Sequence, residues 1–147
     1  MELSAEEAEL VGAEAAAAAG VLGGEGREQA LRIAELADGQ HLPEELLPSL
    51  ERILTASLQG GRARKLYKAE GERALVRLLM RTPGGERLQA NLDAVNRALG
   101  SLKGRRLDSV RVAMRAPGHF TISLQSEGVG LVLAVRPDSV GVESLTA

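Results

Sequence analysis

Residues 109–142 read SVRVAMRAPGHFTISLQSEGVGLVLAVRPDSVGV, and their polarity changes at almost every step. Val110, Val112 and Met114 alternate with Ser109, Arg111, Ala113 and Arg115. Phe120, Ile122 and Leu124 alternate with Thr121, Ser123 and Gln125. Val129, Leu131, Leu133 and Val135 alternate with Gly130, Val132, Ala134 and Arg136. A period of two belongs to a strand with one face buried. Ala116-Pro117-Gly118, Glu127-Gly128 and Pro137-Asp138-Ser139 carry turn chemistry between the runs, and Val140 and Val142 begin a short fourth strand. Connections this short join antiparallel neighbours. The reading is a three- to four-stranded antiparallel β-meander whose Val, Met, Phe, Ile and Leu side chains share one face and need a cover.

The expected cover lies immediately upstream. Leu88, Leu92, Val95, Leu99 and Leu102 follow one another at steps of 4, 3, 4 and 3. That spacing predicts a long amphipathic helix over residues 86–102, stopped by Gly104. Further back, Ser4 and Glu7 form a capping box, and a helix is expected from Ala5 to Ala19 with Gly20 at its end. Gly20, Gly23, Gly24 and Gly26 read as a flexible loop. Ala30, Ile33, Ala34 and Ala37 place a second helix over Arg27–Asp38. Leu47, Leu50, Leu54 and Leu58 place a third after Pro43, with regular helix starting near Pro48. In residues 72–82, Arg73, Arg77 and Arg81 fall four apart, which favours a helix over a buried strand there. The fold class is therefore α+β: an N-terminal helical region of about three to five helices, then the long helix on the meander.

The chain has 147 residues, 18 Lys+Arg, 20 Asp+Glu, two His, one Tyr, one Phe and neither Cys nor Trp. The missing cysteines remove disulfides, thiolate nucleophiles, Cys-ligated zinc and iron–sulfur clusters together. The longest run free of formal charge is 11 residues, Ala116–Ser126, so no membrane-spanning helix is expected. Met1-Glu2 with three more Glu before residue 10 does not resemble a secretory leader, which makes the cytoplasm the expected location.

Charge is uneven. Residues 1–60 carry 12 acidic and 3 basic side chains, and residues 61–147 carry 8 and 15. This predicts an acidic helical region over 1–60 and a basic α+β region over 61–147, joined as one compact unit. Opposed halves that face each other explain such asymmetry, and so does a surface for a polyanion.

Little of the sequence points to catalysis, and an enzyme is not the favoured reading. His41 and His119 have no metal-ligand spacing, no Ser sits in a nucleophile elbow, and no phosphate loop is present. Neither a metal nor a cofactor is implied. The favoured reading is a non-enzymatic protein that binds a protein partner or a second copy of itself as a homo-oligomer. The partner surface would be the second face of the sheet, with Ala113, Val132 and Ala134 at its centre and Arg111, Arg115 and Arg136 at its rim, the composition of many interfaces. One alternative is nucleic-acid binding by the basic segment 62–115, with Arg62, Arg64, Lys65, Lys68, Arg73, Arg77 and Arg81 as phosphate contacts. The scarcity of aromatic residues weighs against single-strand binding. A second alternative is an enzyme that uses His119 with Arg115 as an anion site. What covers the Arg111–Arg136 face is left open by the sequence.

Overall fold

The computed structural model describes residues 1–147. The fold is α+β, with five α-helices followed by a four-stranded antiparallel sheet. The contacts divide the chain into two compact units, Met1–Glu86 and Arg87–Ala147. The division falls in the first turn of the helix Pro83–Gly100 rather than near residue 60, so the basic helix Arg62–Met80 belongs with the acidic helices before it.

In the first unit, α1 spans Ala5–Ala19. Its capping box is complete: the Glu7 N–H donates to Ser4 Oγ at 3.2 Å, and the Ser4 N–H donates to Glu7 Oε2 at 2.9 Å. Helix α2 spans Gly24–Ala37 and starts one turn earlier than its apolar periodicity predicts. Gly24 and Gly26 are thus helical, and the flexible loop expected there shrinks to a short turn. A 3-10 turn at Glu44–Leu46 leads into α3, Leu47–Gln59, with Pro48 in its first turn. Helix α4 runs over Arg62–Met80, so residues 72–80 are helix, as the arginine spacing predicts.

Helix α4 breaks at Lys68, where φ is 58° and ψ is −161°. The break brings Tyr67 onto Gly71: a Cβ at Gly71 would stand 2.2 Å from Tyr67 Cβ. Only a residue without a side chain fits, which is why Gly71 lies inside a helix and does not end one. The core of this unit is built from fully buried Val11, Ala15, Ile33, Leu42, Leu50, Leu54, Leu75 and Leu78. The first residues close it. The Leu3 N–H donates to Gln40 O and the Leu42 N–H to Met1 O, both at 2.9 Å. Alanine-rich α1 is therefore firmly packed, with Ala8, Ala15 and Ala19 buried.

Helix α5 spans Pro83–Gly100. In the second unit it is followed by β1 (Leu107–Ala116), β2 (His119–Ser126), β3 (Val129–Arg136) and β4 (Ser139–Thr146). The strands pair in chain order, all antiparallel. Val112, Ile122, Leu133 and Val142 form one cross-strand row, and Val110, Leu124, Leu131 and Leu145 the next. The fourth strand is full length, not short.

The cover is only partial, and this corrects the leucine-seam expectation. Val95 and Ala98 of α5, with Leu102 beyond its end, pack on Leu124, Leu131 and Leu133, flanked by Ile122 and Val140. Leu99 is exposed. A helix is about 10 Å wide and strands lie about 4.8 Å apart, so one helix shields about two strands. It shields β2 and β3. Val110, Val112 and Met114 of β1 remain 58%, 62% and 66% exposed.

Candidate functional site

The register brings the predicted partner surface together. Ala113, Thr121, Ala134 and Gly141 form one row of the face away from α5, and Arg111, Ser123, Val132 and Ser144 the next. Ala113, Val132 and Ala134 are half-buried, and Arg111, Arg115 and Arg136 are exposed. Thr121, on the same face, is the buried member of the centre. Arg115 is not free: its Nη1 lies 2.8 Å from Glu143 Oε1. The pair links β1 to β4 across two intervening strands, and both residues sit at or beside a register shift. His119 is exposed at the hairpin, and no group of His, Asp and Glu able to hold a metal is present.

Strand β1 is also a sheet edge, bonded to β2 alone. Its irregularities fall at its ends, between Leu107 and Ser109 and between Met114 and Ala116, so Ser109–Met114 is regular and open on its outer side. One face of that edge is apolar and exposed, and the other carries Arg111 and Arg115.

The basic residues of α4 are partly committed within their own unit. Arg81 donates through Nη1 to both oxygens of Glu7, at 2.9 and 3.0 Å, and through Nη2 to the Glu2 carbonyl. Burial works against the Glu7 charge, but the Ser4 N–H and the Arg81 guanidinium outweigh it and hold Glu7 below the usual carboxylate range. The His41 ring does the same for Glu2 through a direct hydrogen bond. Arg62 is bound to Glu14. Arg64, Lys65, Lys68, Arg73 and Arg77 are exposed.

A second feature is a half-open cavity of about 500 Å³ in the helical unit. Its apolar wall includes Ala17, Ala18, Val21, Leu22, Ile53 and Ala56, and its polar wall Glu14, Ser49, Arg52, Ser57 and Arg62. Small residues from α1 and α3 leave the space. Glu14 is buried, with its side chain only 2% exposed. It accepts from Arg62 Nε at 3.2 Å on each oxygen and from the Tyr67 hydroxyl at 2.6 Å. Burial of the phenol, then its hydrogen bond to the Glu14 carboxylate and that group's charge, push Tyr67 up to about 12. Arg52 donates to Ser49 Oγ at 2.8 Å and to Gln29 Oε1 at 3.3 Å, and has no carboxylate partner. Ser57 Oγ is buried with no hydrogen-bond partner.

Local sequence patterns do not reveal this cavity. One signal was available: Glu14 lies on the apolar stripe of α1, among Leu10, Val11, Ala15 and Ala18, where a lone carboxylate implies a buried partner. No protein-family model, curated protein or solved structure matches this chain. No helix is long and apolar enough to cross a membrane.

Proposed function

We propose that the chain acts by association, as a binding protein and not as a catalyst, and that its first partner is a second copy of itself joined along β1. The observation that carries this reading is the exposed apolar row Val110, Val112 and Met114 on a regular, unpaired strand edge. Such an edge is a template for a further strand.

Antiparallel pairing of β1 with its twofold copy, centred on Val112, is self-complementary. Val112 meets Val112 and Val110 meets Met114 on the apolar face. On the opposite face Arg111 meets Ala113 and Ser109 meets Arg115, so no two arginines stand opposed. Centring on Arg111 or on Ala113 would set Arg111 against itself or against Arg115, an unfavourable like-charge pair. In this arrangement Arg111, Ala113 and Arg115 line the seam, while Val132, Ala134 and Arg136 lie on β3, inside each copy's sheet.

The size of the effect is modest. Side-by-side packing of Val110, Val112 and Met114 from two copies hides roughly 200 Å² of apolar surface, about 5 kcal/mol gross. A ladder of backbone bonds adds to it at about 1 kcal/mol each. Association costs about 4–15 kcal/mol. At the low end of that cost a weak dimer results, with a dissociation constant of roughly tens of micromolar or more.

Sedimentation velocity across a concentration series tests it. Wild type should pass from monomer to dimer as concentration rises. Val112→Lys should stay monomeric, because it sets two ammonium groups face to face at the twofold. Val142→Lys on β4 should dimerise as wild type does. A wild-type chain that is monomeric at hundreds of micromolar, or a Val112→Lys variant that dimerises normally, ends the proposal. For nucleic-acid binding by segment 62–115, Arg62 and Arg81 are engaged by Glu14 and Glu7, while Arg64, Lys65, Lys68, Arg73 and Arg77 are exposed with no further observation in favour of that reading.

A further inference from the structure

The cavity of the helical unit has an asymmetry of charge and polarity that its own fold does not use. The charged groups on its wall are Glu14, Arg52 and Arg62. Glu14 is paired within the fold: both oxygens accept from Arg62 Nε, and one also from the Tyr67 hydroxyl. Arg62 spends only its Nε on that pair, and its side chain is 45% exposed. Arg52 has no counter-ion. The wall therefore carries one uncompensated positive charge. Ser57, on the same wall, is 5% exposed and its hydroxyl is buried without a partner. A buried hydroxyl without a partner is rare and costs free energy unless something fills its bonding capacity. Apart from Ser49, whose hydroxyl is engaged by Gln29 and Arg52, the remaining wall is apolar: Ala17, Ala18, Val21, Leu22, Ile53 and Ala56 offer a ligand dispersion and desolvation.

We infer that this cavity binds an amphipathic monoanion: one carboxylate held by Arg52, Arg62 and Ser57, on an apolar body lying against α1 and α3. A dry cavity of about 150 Å³ holds a benzene ring. By that scale, a half-open cavity of about 500 Å³ has room for about 20 non-hydrogen atoms if filled, and takes a ligand of about a dozen with space left over. The single surplus charge matches a monoanion. A dianion would leave one charge uncompensated, and a cation would face two guanidinium groups. The arginines supply charge-assisted bonds to the carboxylate oxygens, the hydroxyl supplies a third donor, and the alanines leave the room.

Decanoate is the probe, titrated into the full chain by calorimetry, with 1-decanol and decyltrimethylammonium as matched neutral and cationic chains. Decanoate should bind at least tenfold more tightly than decanol, and decyltrimethylammonium should not bind. Ala56→Phe fills the cavity from an exposed position and should lower decanoate affinity at least tenfold, with an unchanged circular dichroism spectrum. Arg52→Gln should lower it about five- to tenfold. Ser57→Ala gives opposite signs: decanoate binding weakens severalfold, while the ligand-free protein melts no lower than wild type, because an unpartnered hydroxyl has been removed. Equal affinity for decanoate and decanol, no heat with millimolar decanoate, or an Ala56→Phe variant that binds as wild type does would each overturn the assignment. So would a Ser57→Ala variant that loses stability but not affinity.

Discussion

Replacing Glu14 by Gln isolates the buried carboxylate at the polar end of the cavity. The chain has one tyrosine and no tryptophan, so the phenolate absorbance band reports Tyr67 alone. In the native protein that phenol should ionise near pH 12 rather than 10, because burial, the hydrogen bond to Glu14 and the Glu14 charge all disfavour phenolate. One pH unit corresponds to about 1.4 kcal/mol, which sets a ceiling of about 2.7 kcal/mol for the difference. The ring is partly open to solvent, so screening reduces the share that reaches folding stability to about 1 kcal/mol. The sign follows from linkage. The folded value is raised, so the unfolded chain ionises first. The stabilisation is intact below pH 10 and is lost as pH rises from 10 to 12.

Glu14→Gln keeps an acceptor for the hydroxyl but removes the negative charge, and burial is unchanged. Tyr67 should then titrate below the wild-type value yet still above 10. The same substitution strands Arg62, whose exposure limits the loss to about 1–2 kcal/mol in urea unfolding at pH 7. Rapid pH jumps read by absorbance would measure the ionisation ahead of alkaline unfolding. A wild-type phenol that titrates at 10, or a titration that Glu14→Gln leaves in place, would refute the geometry of this cluster.

Gly85→Ala should cost about 2–4 kcal/mol, since its Cβ would stand 2.0 Å from the Leu79 carbonyl oxygen and 2.5 Å from Met80 Cα, backbone atoms that cannot swing aside. Gly100→Ala, with open space around it, should be neutral or stabilise by up to about 1 kcal/mol, and thermal melts of the two variants should differ accordingly. The carboxyl of Glu7 is held below its ordinary value of 4.5, so the stability it contributes is present above pH 4.5 and lost as pH falls through the lower folded value. Arg81→Ala should shrink that acid-side loss, measured as the difference in urea midpoint between pH 7 and pH 3.

Local chemistry made some features readable from sequence. The meander's alternation and turns yield strands whose pairing follows the expected order, and Ser4 with Glu7 marks the start of α1 to the residue. Features that depend on distant partners were not readable. The steps from Leu88 to Leu102 establish an apolar stripe but not its reach, and reach decided that β1 stays open while β2 and β3 are covered. Charge counts put the boundary near residue 60, yet Arg62 and Arg81 pair with Glu14 and Glu7, contacts 48 and 74 residues apart that place α4 with the acidic helices. The need for glycine at position 71 was not readable either, because its close neighbour, Tyr67, becomes close only through the break at Lys68. The cavity was invisible for a related reason: in a sequence, an alanine that packs against a neighbour looks the same as one that leaves room.

The two edges of the sheet are not alike, and the difference bears on association. Strand β4 is interrupted mid-strand by a register shift opposite Val132 and Leu133, and it carries Glu143 there, both features that discourage a further strand. Strand β1 has its irregularities only at its ends and no charge on its apolar face. Physical chemistry would make guarding β1 easy: at 62% exposure, a lysine at Val112 gives up little burial and need not disturb the monomer. For the same reason Val112→Lys separates two explanations of the exposed row. If the row belongs to an interface, the variant loses the dimer while its melting temperature, measured at concentrations where wild type is monomeric, stays within about two degrees of wild type. If the row instead supports the monomer, the melting temperature falls at every concentration and the change in mass carries no information about docking.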